Sequence, residues 1–247
     1  MKLLLIGAGN MGGAMIEGLK HHDLTVVERF DERAKELKRL FADVKVLEKV
    51  PNLDGFIVIL AIKPQSLDSL KVEGKAKGVI SILAGVKLEK LKEKIDSQMY
   101  VRAMPNMAAL VCKSATSLCG DEGLKDEAIE ILSSIGKCFW LDSEDELDIA
   151  TGLAGSAPAW LALVAESLSD GAVNLGLKRD ITYEYIAQLF EGVGAVLQDE
   201  HPALLKDKVT SPKGTTIAGI SKLEESGIRD AFMKAMESSY KRAKELS

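Results

Sequence analysis

Leu3-Leu4-Leu5-Ile6 runs straight into Gly7-Ala8-Gly9-Asn10-Met11-Gly12-Gly13. Glycines 7, 9 and 12 have G-x-G-x-x-G spacing, and the helical pattern Met15, Ile16, Leu19 follows. That order is strand, tight turn, helix, and its chemistry is anion binding. Gly7 permits the turn, Gly9 lets a pyrophosphate approach the backbone, and Gly12 lets helix and strand pack closely. The helix N-terminus adds unpaired N–H groups and the positive end of its dipole. Glycine-rich strand ends are common, so the context decides. A second apolar strand, Leu24 to Val27, ends in Glu28, about 20 residues on, where an acid would hold a ribose hydroxyl. Dinucleotide binding outweighs a plain tight turn.

A second group of chemistry-bearing residues lies at Thr210-Ser211-Pro212-Lys213-Gly214-Thr215-Thr216, a loop running into a helix. Hydroxyls and helix N-terminal N–H groups suit a carboxylate. A plain helix cap needs one Ser or Thr; four hydroxyls around a proline and a glycine exceed that need. Lys63, Gln65 and Asn106 follow apolar runs and fall at strand ends.

Elements that position these groups alternate along the first part of the chain. Asp31 to Ala42 has an apolar stripe at Ala34, Leu37, Leu40 and Phe41 and reads as a helix. Val44–Leu47, Gly55–Ile62, Gly78–Leu83, Met99–Met104, Ala115–Cys119 and Cys138–Leu141 read as strands. The run 55–62 is apolar throughout, as a strand buried on both faces must be. Helices are expected at Leu88–Ile95 and Leu124–Ile135. Such alternation specifies a Rossmann-type α/β domain with its ligand at the carboxyl ends of the strands. The pattern changes near Asp145. Helices are expected at Ala157–Leu175, Thr182–Gln198, Thr215–Glu225 and Ile228–Leu246, with a turn at His201-Pro202. We therefore expect a dinucleotide-binding domain over 1–145 and an all-α helical domain over 146–247. The helices are too apolar for their number, which points to a subunit interface.

Composition narrows the classes. The chain has 247 residues, 47% of them hydrophobic, and a net charge of −5. No basic stripe is present, so nucleic acid is not an expected partner. Cys112, Cys119 and Cys138 form no C-x-x-C pair, and the bland reading is three small apolar residues in strands of a cytoplasmic protein. Only His21, His22 and His201 are available, and no metal site is expected. The most membrane-like stretch, Thr151 to Val173, carries Glu166 and Asp170 and reads as a buried helix rather than a span.

Six segments in order and spacing resemble the pyrroline-5-carboxylate reductase family: Gly7–Gly13, Ala61–Gln65, Arg102–Asn106, Thr151–Ala159, Asp170–Leu177 and Lys206–Thr216. The resemblance covers essentially the whole chain, and the last segment is the most specific. It implies reduction of the cyclic imine 1-pyrroline-5-carboxylate to L-proline with NADPH or NADH, in a homodimer or higher assembly of interlocked helical domains. Carried onto this sequence, it places Gly7, Gly9, Asn10, Met11, Gly12, Glu28, Arg29, Ala61, Lys63, Pro64 and Asn106 at the cofactor. Ser211, Gly214 and Thr215 hold the substrate carboxylate, Thr216 meets the ring nitrogen, and Glu166 is an acid reaching the active-site region. For Glu166 a helix-surface glutamate at an interface is an equal alternative; for Lys63 and Asn106 the plain readings are a helix-start lysine and a turn asparagine. A protonated imine is already electrophilic, so hydride transfer needs proximity more than a strong acid.

The sequence departs from the pattern at Lys213, usually glycine, at Met107-Ala108, usually Thr-Pro, and at Ala154, Ala157 and Trp160. Glu28 beside a ribose favours NADH, Arg29 beside a 2′-phosphate favours NADPH, and the resemblance leans to NADPH. A β-hydroxyacid dehydrogenase would need a lysine on the first long helix of the second domain, and none occurs between Cys138 and Leu177. A catalytically silent NAD(P)-binding regulator would have no use for the Thr210–Thr216 loop.

Overall fold

Alternate residues of the central strands leave for opposite faces, and two apolar layers form in consequence. Leu3 and Leu5 of β1 (Lys2–Ile6) and Ile57 and Ile59 of β4 (Ile57–Leu60) meet Met15, Ile16 and Leu19 of α1 (Asn10–Leu19) on one face. Leu4, Ile6, Val58 and Leu60 meet Leu67 and Leu91 on the other. The computed structural model describes residues 1–246. One eight-stranded sheet runs in the order β3-β2-β1-β4-β5-β6-β7-β8. The remaining strands are β2 (Asp23–Val27), β3 (Lys45–Leu47), β5 (Gly78–Ser81), β6 (Tyr100–Met104), β7 (Ser114–Gly120) and β8 (Gly136–Trp140). Helices α2 (Asp31–Leu40), α3 (Leu88–Lys94) and α4 (Lys125–Leu132) cover it. This is the Rossmann-type α/β arrangement expected, with the strand order reversing at β1/β4.

All neighbours are parallel except β6 and β7. The link between those two holds only a 3-10 turn, Met107–Val111, too short for the crossover helix that a parallel pair requires. Cys119 and Cys138 lie in strands as expected. Cys112 does not: it is exposed and ends the 3-10 turn in the left-handed region at φ 55°.

The chain divides into two compact units, Met1–Ser156 with the residues from Ser239 on, and Ala157–Ser238. The first unit includes α5 (Glu144–Ala150), which the sequence pattern does not reveal, and a π-helical turn, Thr151–Ser156, where the sequence reads simply as the start of a helix running to Val173. Arg102 of β6, 4% exposed, anchors α5 by pairing with Glu144 at 2.6 Å and Asp148 at 3.5 Å. The last helix, α10 (Ile228–Leu246), returns to this unit: Tyr240 donates to Asp145 and Ser239 bonds Ser156.

The second unit is helical. It holds α6 (Ala157–Asn174), α7 (Arg179–Val196), α8 (Pro202–Lys208), α9 (Thr215–Glu225) and the start of α10. Gly176, at φ 107°, closes α6: its N–H bonds Val173 O and that of Leu177 bonds Ala172 O. A buried bond between Ser169 and Thr182 then locks α6 to α7, with Arg179 donating to Ser169 and Asp170. His201-Pro202 begins α8 rather than a bare turn, with Pro202 at its first position. Helix α6 is not the buried helix expected. Ser169 is its one buried residue, and Leu163 is 63% exposed. The run Glu144–Asn174 is long and apolar enough to cross a membrane by length and composition alone.

Candidate active site

The dinucleotide loop owes its shape to three glycines with different reasons. Gly7 sits at φ 97°, and a β-carbon there would stand 2.7 Å from the Ala61 carbonyl oxygen. One on Gly12 would stand 2.2 Å from the Gly7 carbonyl oxygen, so a side chain would break the strand-to-helix packing. At Gly9 nothing lies within 4 Å, which leaves the backbone open to a ligand. Gly9 is also the N-cap of α1, with no side-chain cap and no acid in the first turn. The N–H groups and dipole at that end are available to an anion.

A cavity of about 740 Å³ opens beside this loop at the β1/β4 switch point. Gly7, Gly9, Asn10, Glu28, Arg29, Ala61 and Lys63 all line it; Met11, Gly12, Pro64 and Asn106 do not. Pro64 starts a 3-10 turn that Lys63 caps, and Asn106 follows β6 on the same edge of the sheet.

Glu28 is 6% exposed, and the backbone employs both of its carboxylate oxygens. Oε2 accepts from Ala8 N at 3.1 Å and Oε1 from Phe30 N at 3.0 Å. The Ala8 carbonyl in turn accepts from Arg33 Nε at 3.0 Å, and Arg33 Nη1 pairs with Glu36 at 2.7 Å. Arg33 Nη2 lies 2.7 Å from where a β-carbon on Gly13 would stand, so Gly13 gives the guanidinium its room. Sequence reasoning missed Arg33 because it sits among the charged residues of α2, where helix periodicity gives no sign that it reaches back to residue 8.

The Asn106 amide is likewise engaged within the protein. Its Oδ1 accepts from Ala108 N at 3.0 Å and its Nδ2 donates to Ala154 O at 3.0 Å.

In the second unit the hydroxyl-rich loop caps α9. Gly214 is the N-cap, with no side-chain cap and no acid in the first turn. Gly214 N donates to Ser211 O at 3.1 Å, and a β-carbon on Gly214 would stand 2.3 Å from Ser211 Oγ. Lys213 adopts φ 58°, the left-handed conformation that glycine takes without penalty. Thr215 and Thr216 open the helix, and Thr216 is half-buried. Glu166 stands exposed on α6.

A switch-point cavity with a glycine turn and an uncapped helix end is the architecture of a dinucleotide-binding protein, joined here to a helical unit. Residues 2–85 match the family described as NADP oxidoreductase coenzyme F420-dependent, and residues 144–246 match pyrroline-5-carboxylate reductase dimerisation. A pyrroline-5-carboxylate reductase of Helicobacter pylori is 34% identical over 97% of this chain and 98% of its own length. The Coxiella burnetii reductase structure superposes with a TM-score of 0.89 at 30% identity, covering 100% of this chain and 98% of that one. That of Plasmodium falciparum pyrroline carboxylate reductase, solved with NADP bound, superposes with a TM-score of 0.77 at 26% identity, covering 100% and 99%. The chain belongs to the pyrroline-5-carboxylate reductase family.

Proposed function

We propose that this protein reduces 1-pyrroline-5-carboxylate to L-proline with NADPH as the favoured donor. The observation that carries the cofactor reading is the loop itself: an open Gly9, an uncapped α1, and Arg29 and Arg33 beside an acid already bonded to backbone. The site residues fit a dinucleotide. Gly7, Gly9, Asn10, Met11 and Gly12 would take the pyrophosphate, Arg29 a 2′-phosphate, and Ala61, Lys63 and Pro64 the rim toward the nicotinamide. When bound, the cofactor supplies a hydride to the imine carbon.

The chain's own part is binding and orientation. Ser211, Gly214 and Thr215 would hold the ring carboxylate against the uncapped end of α9, where dipole and N–H groups both favour an anion. Thr216, one residue on, offers its hydroxyl to the ring nitrogen and keeps the protonated imine oriented. Glu166 is the acid available to that region. We assign 1–145 to the cofactor and 146–247 to substrate and dimerisation, and place the protein in the cytoplasm, where its three thiols stay reduced.

A second copy of the chain is the natural cover for α6 and α7. Leu163, Leu168, Leu189 and Val193 are all exposed in one chain, and an apolar surface of that kind is normally covered by a partner. The homodimer, which further assembly can extend, explains why a helix expected to be buried is bare here. The alternative of a silent cofactor-binding regulator leaves the Ser211–Thr216 loop without a purpose.

Nicotinamide absorbance, followed with 1-pyrroline-5-carboxylate and either NADPH or NADH while proline is identified as product, tests the reading. Proline formed in step with nucleotide oxidised is the expected result. Tight cofactor binding with no oxidation would leave the fold standing and overturn the activity.

A further inference from the structure

We propose that Asn106 is a positioning residue for hydride transfer: it does not contact the cofactor but ties the loop after β6 to the π-helical turn Thr151–Ser156. The inference rests on the reductase reading above and assigns a task within it.

An asparagine amide has one acceptor and one donor group, and here the protein uses both. Oδ1 caps the 3-10 turn through Ala108 N, and Nδ2 reaches across 48 residues of sequence to the Ala154 carbonyl. The backbone N–H of Asn106 donates to Ser114 Oγ at 3.0 Å, and Ser114 bonds Thr116 at 2.9 Å. Ser114 and Thr116 are fully buried. The Ser114–Thr116 end of this network is buried and the Asn106 end half-buried, and with every member satisfied the network fixes the geometry of the loop.

The segment it holds is placed to matter. Ala109, inside the 3-10 turn, packs in the same apolar layer as Met15 and Ile16 of the dinucleotide helix. The π turn lies against the end of β6, since a β-carbon on Gly155 would come within 3.3 Å of Met104 Cε. π turns are rare, cost regular hydrogen bonding and concentrate at functional sites. Strand β6 and the loop after it grip the helical run at two points: Arg102 of β6 holds α5 through Glu144 and Asp148, and Asn106 of the loop holds the π turn. Both points lie at the carboxyl edge that carries the cofactor cavity. Displacing a reacting group by an ångström can cost about 100-fold in rate while leaving binding nearly intact.

The test uses the full-length protein with Asn106→Asp, Asn106→Ser and Ser114→Ala. Aspartate keeps the acceptor for Ala108 N but sets an oxygen against the Ala154 carbonyl; serine can keep the cap and cannot span to Ala154. The readouts are kcat and KM for the imine, NADPH Kd by nicotinamide fluorescence, and amide hydrogen exchange over 107–111 and 151–156. For both Asn106 variants kcat should fall about 10- to 100-fold while NADPH Kd moves less than about threefold. Exchange should quicken in those two segments and not in β1 or α1. Combining Asn106→Ser with Ser114→Ala should cost less than the product of the single losses, because both act through one loop. A Kd that weakens in step with kcat/KM would make Asn106 a direct ligand and overturn the proposal. Unchanged kcat, or unchanged exchange at 151–156, would overturn it too. Should Asn106→Asp not fold, Asn106→Ser carries the same arms. Failure of the parent protein to turn over the imine would count against the reductase reading, whereas the exchange experiment judges the tie by itself.

Discussion

Replacing Glu28 by alanine removes the carboxylate that holds the dinucleotide loop from below. The side chain accepts from Ala8 N, a buried contact at 3.1 Å, and from Phe30 N at 3.0 Å near the surface. A hydrogen bond to a charged group contributes about 1.5–3 kcal/mol, and a buried N–H left without an acceptor costs about 1–3 kcal/mol. Water can replace the bond to Phe30 but not the one to Ala8, so the net loss should be about 2–3 kcal/mol. For a chain of this size that lowers Tm by about 4–12 °C. Calorimetry with parallel NADPH and NADH titrations separates two consequences. Affinity for both nucleotides should weaken, because the turn that carries Gly7 and Gly9 has lost an anchor. The NADPH-to-NADH ratio should still rise, because the group that would hold a ribose hydroxyl and repel a 2′-phosphate is gone. Glu28→Gln, which keeps one acceptor, should recover about half of the stability. A Tm within about 1 °C of the parent with both affinities unchanged would refute the anchoring argument, and an unaltered ratio would remove Glu28 from the ribose.

Three further outcomes follow from particular residues. Thr216→Val should lower kcat/KM by about 10- to 100-fold, the loss of one hydrogen bond to a charged ring nitrogen, with Tm unchanged; steady-state kinetics showing no loss would take Thr216 out of the site. Lys213→Gly should raise Tm by about 2–3 °C, since a left-handed lysine costs about 1 kcal/mol that glycine does not; a fall in Tm on thermal melting would mean that the lysine side chain stabilises the loop by more than its backbone strain. Alkylation at pH 8 should modify Cys112 first. It is exposed, whereas burial raises the Cys138 thiol and pushes Cys119 up to about 11, so both stay protonated; peptide mass spectrometry finding early label on Cys119 would contradict this.

Local signals carried far where they had a local cause. The glycine turn was legible because each glycine answers a backbone demand within a few residues of itself. The central strands were legible because apolar runs buried on both faces have few other homes, and the edge strands β3 and β8, which are not buried, were legible from their place in the alternation. The same reasoning mislaid Cys112, because an antiparallel link of nine residues had no place in a purely alternating pattern. It expected α6 to be buried because an apolar helix must be covered, and composition does not say by what. The α5 helix and the π turn were not legible, since Glu144–Ser156 mixes acids, glycines and apolar residues with no steady period.

The sequence by itself determined the class of chemistry: a dinucleotide turn at its start, a hydroxyl-rich loop near its end that we propose for the substrate carboxylate, and the family that joins them. Tertiary structure alone decided how the site is held together. Glu28 holds the N–H of Ala8 and Arg33 its carbonyl, so that two successive peptide groups of the loop are pinned, and Asn106 spans from the loop after β6 to Ala154. Those ties join residues 20 to 48 positions apart, each from a side chain to a backbone group of a kind found all along the chain. A backbone N–H or carbonyl leaves no mark in the sequence, so only the fold reveals which of them a side chain will find.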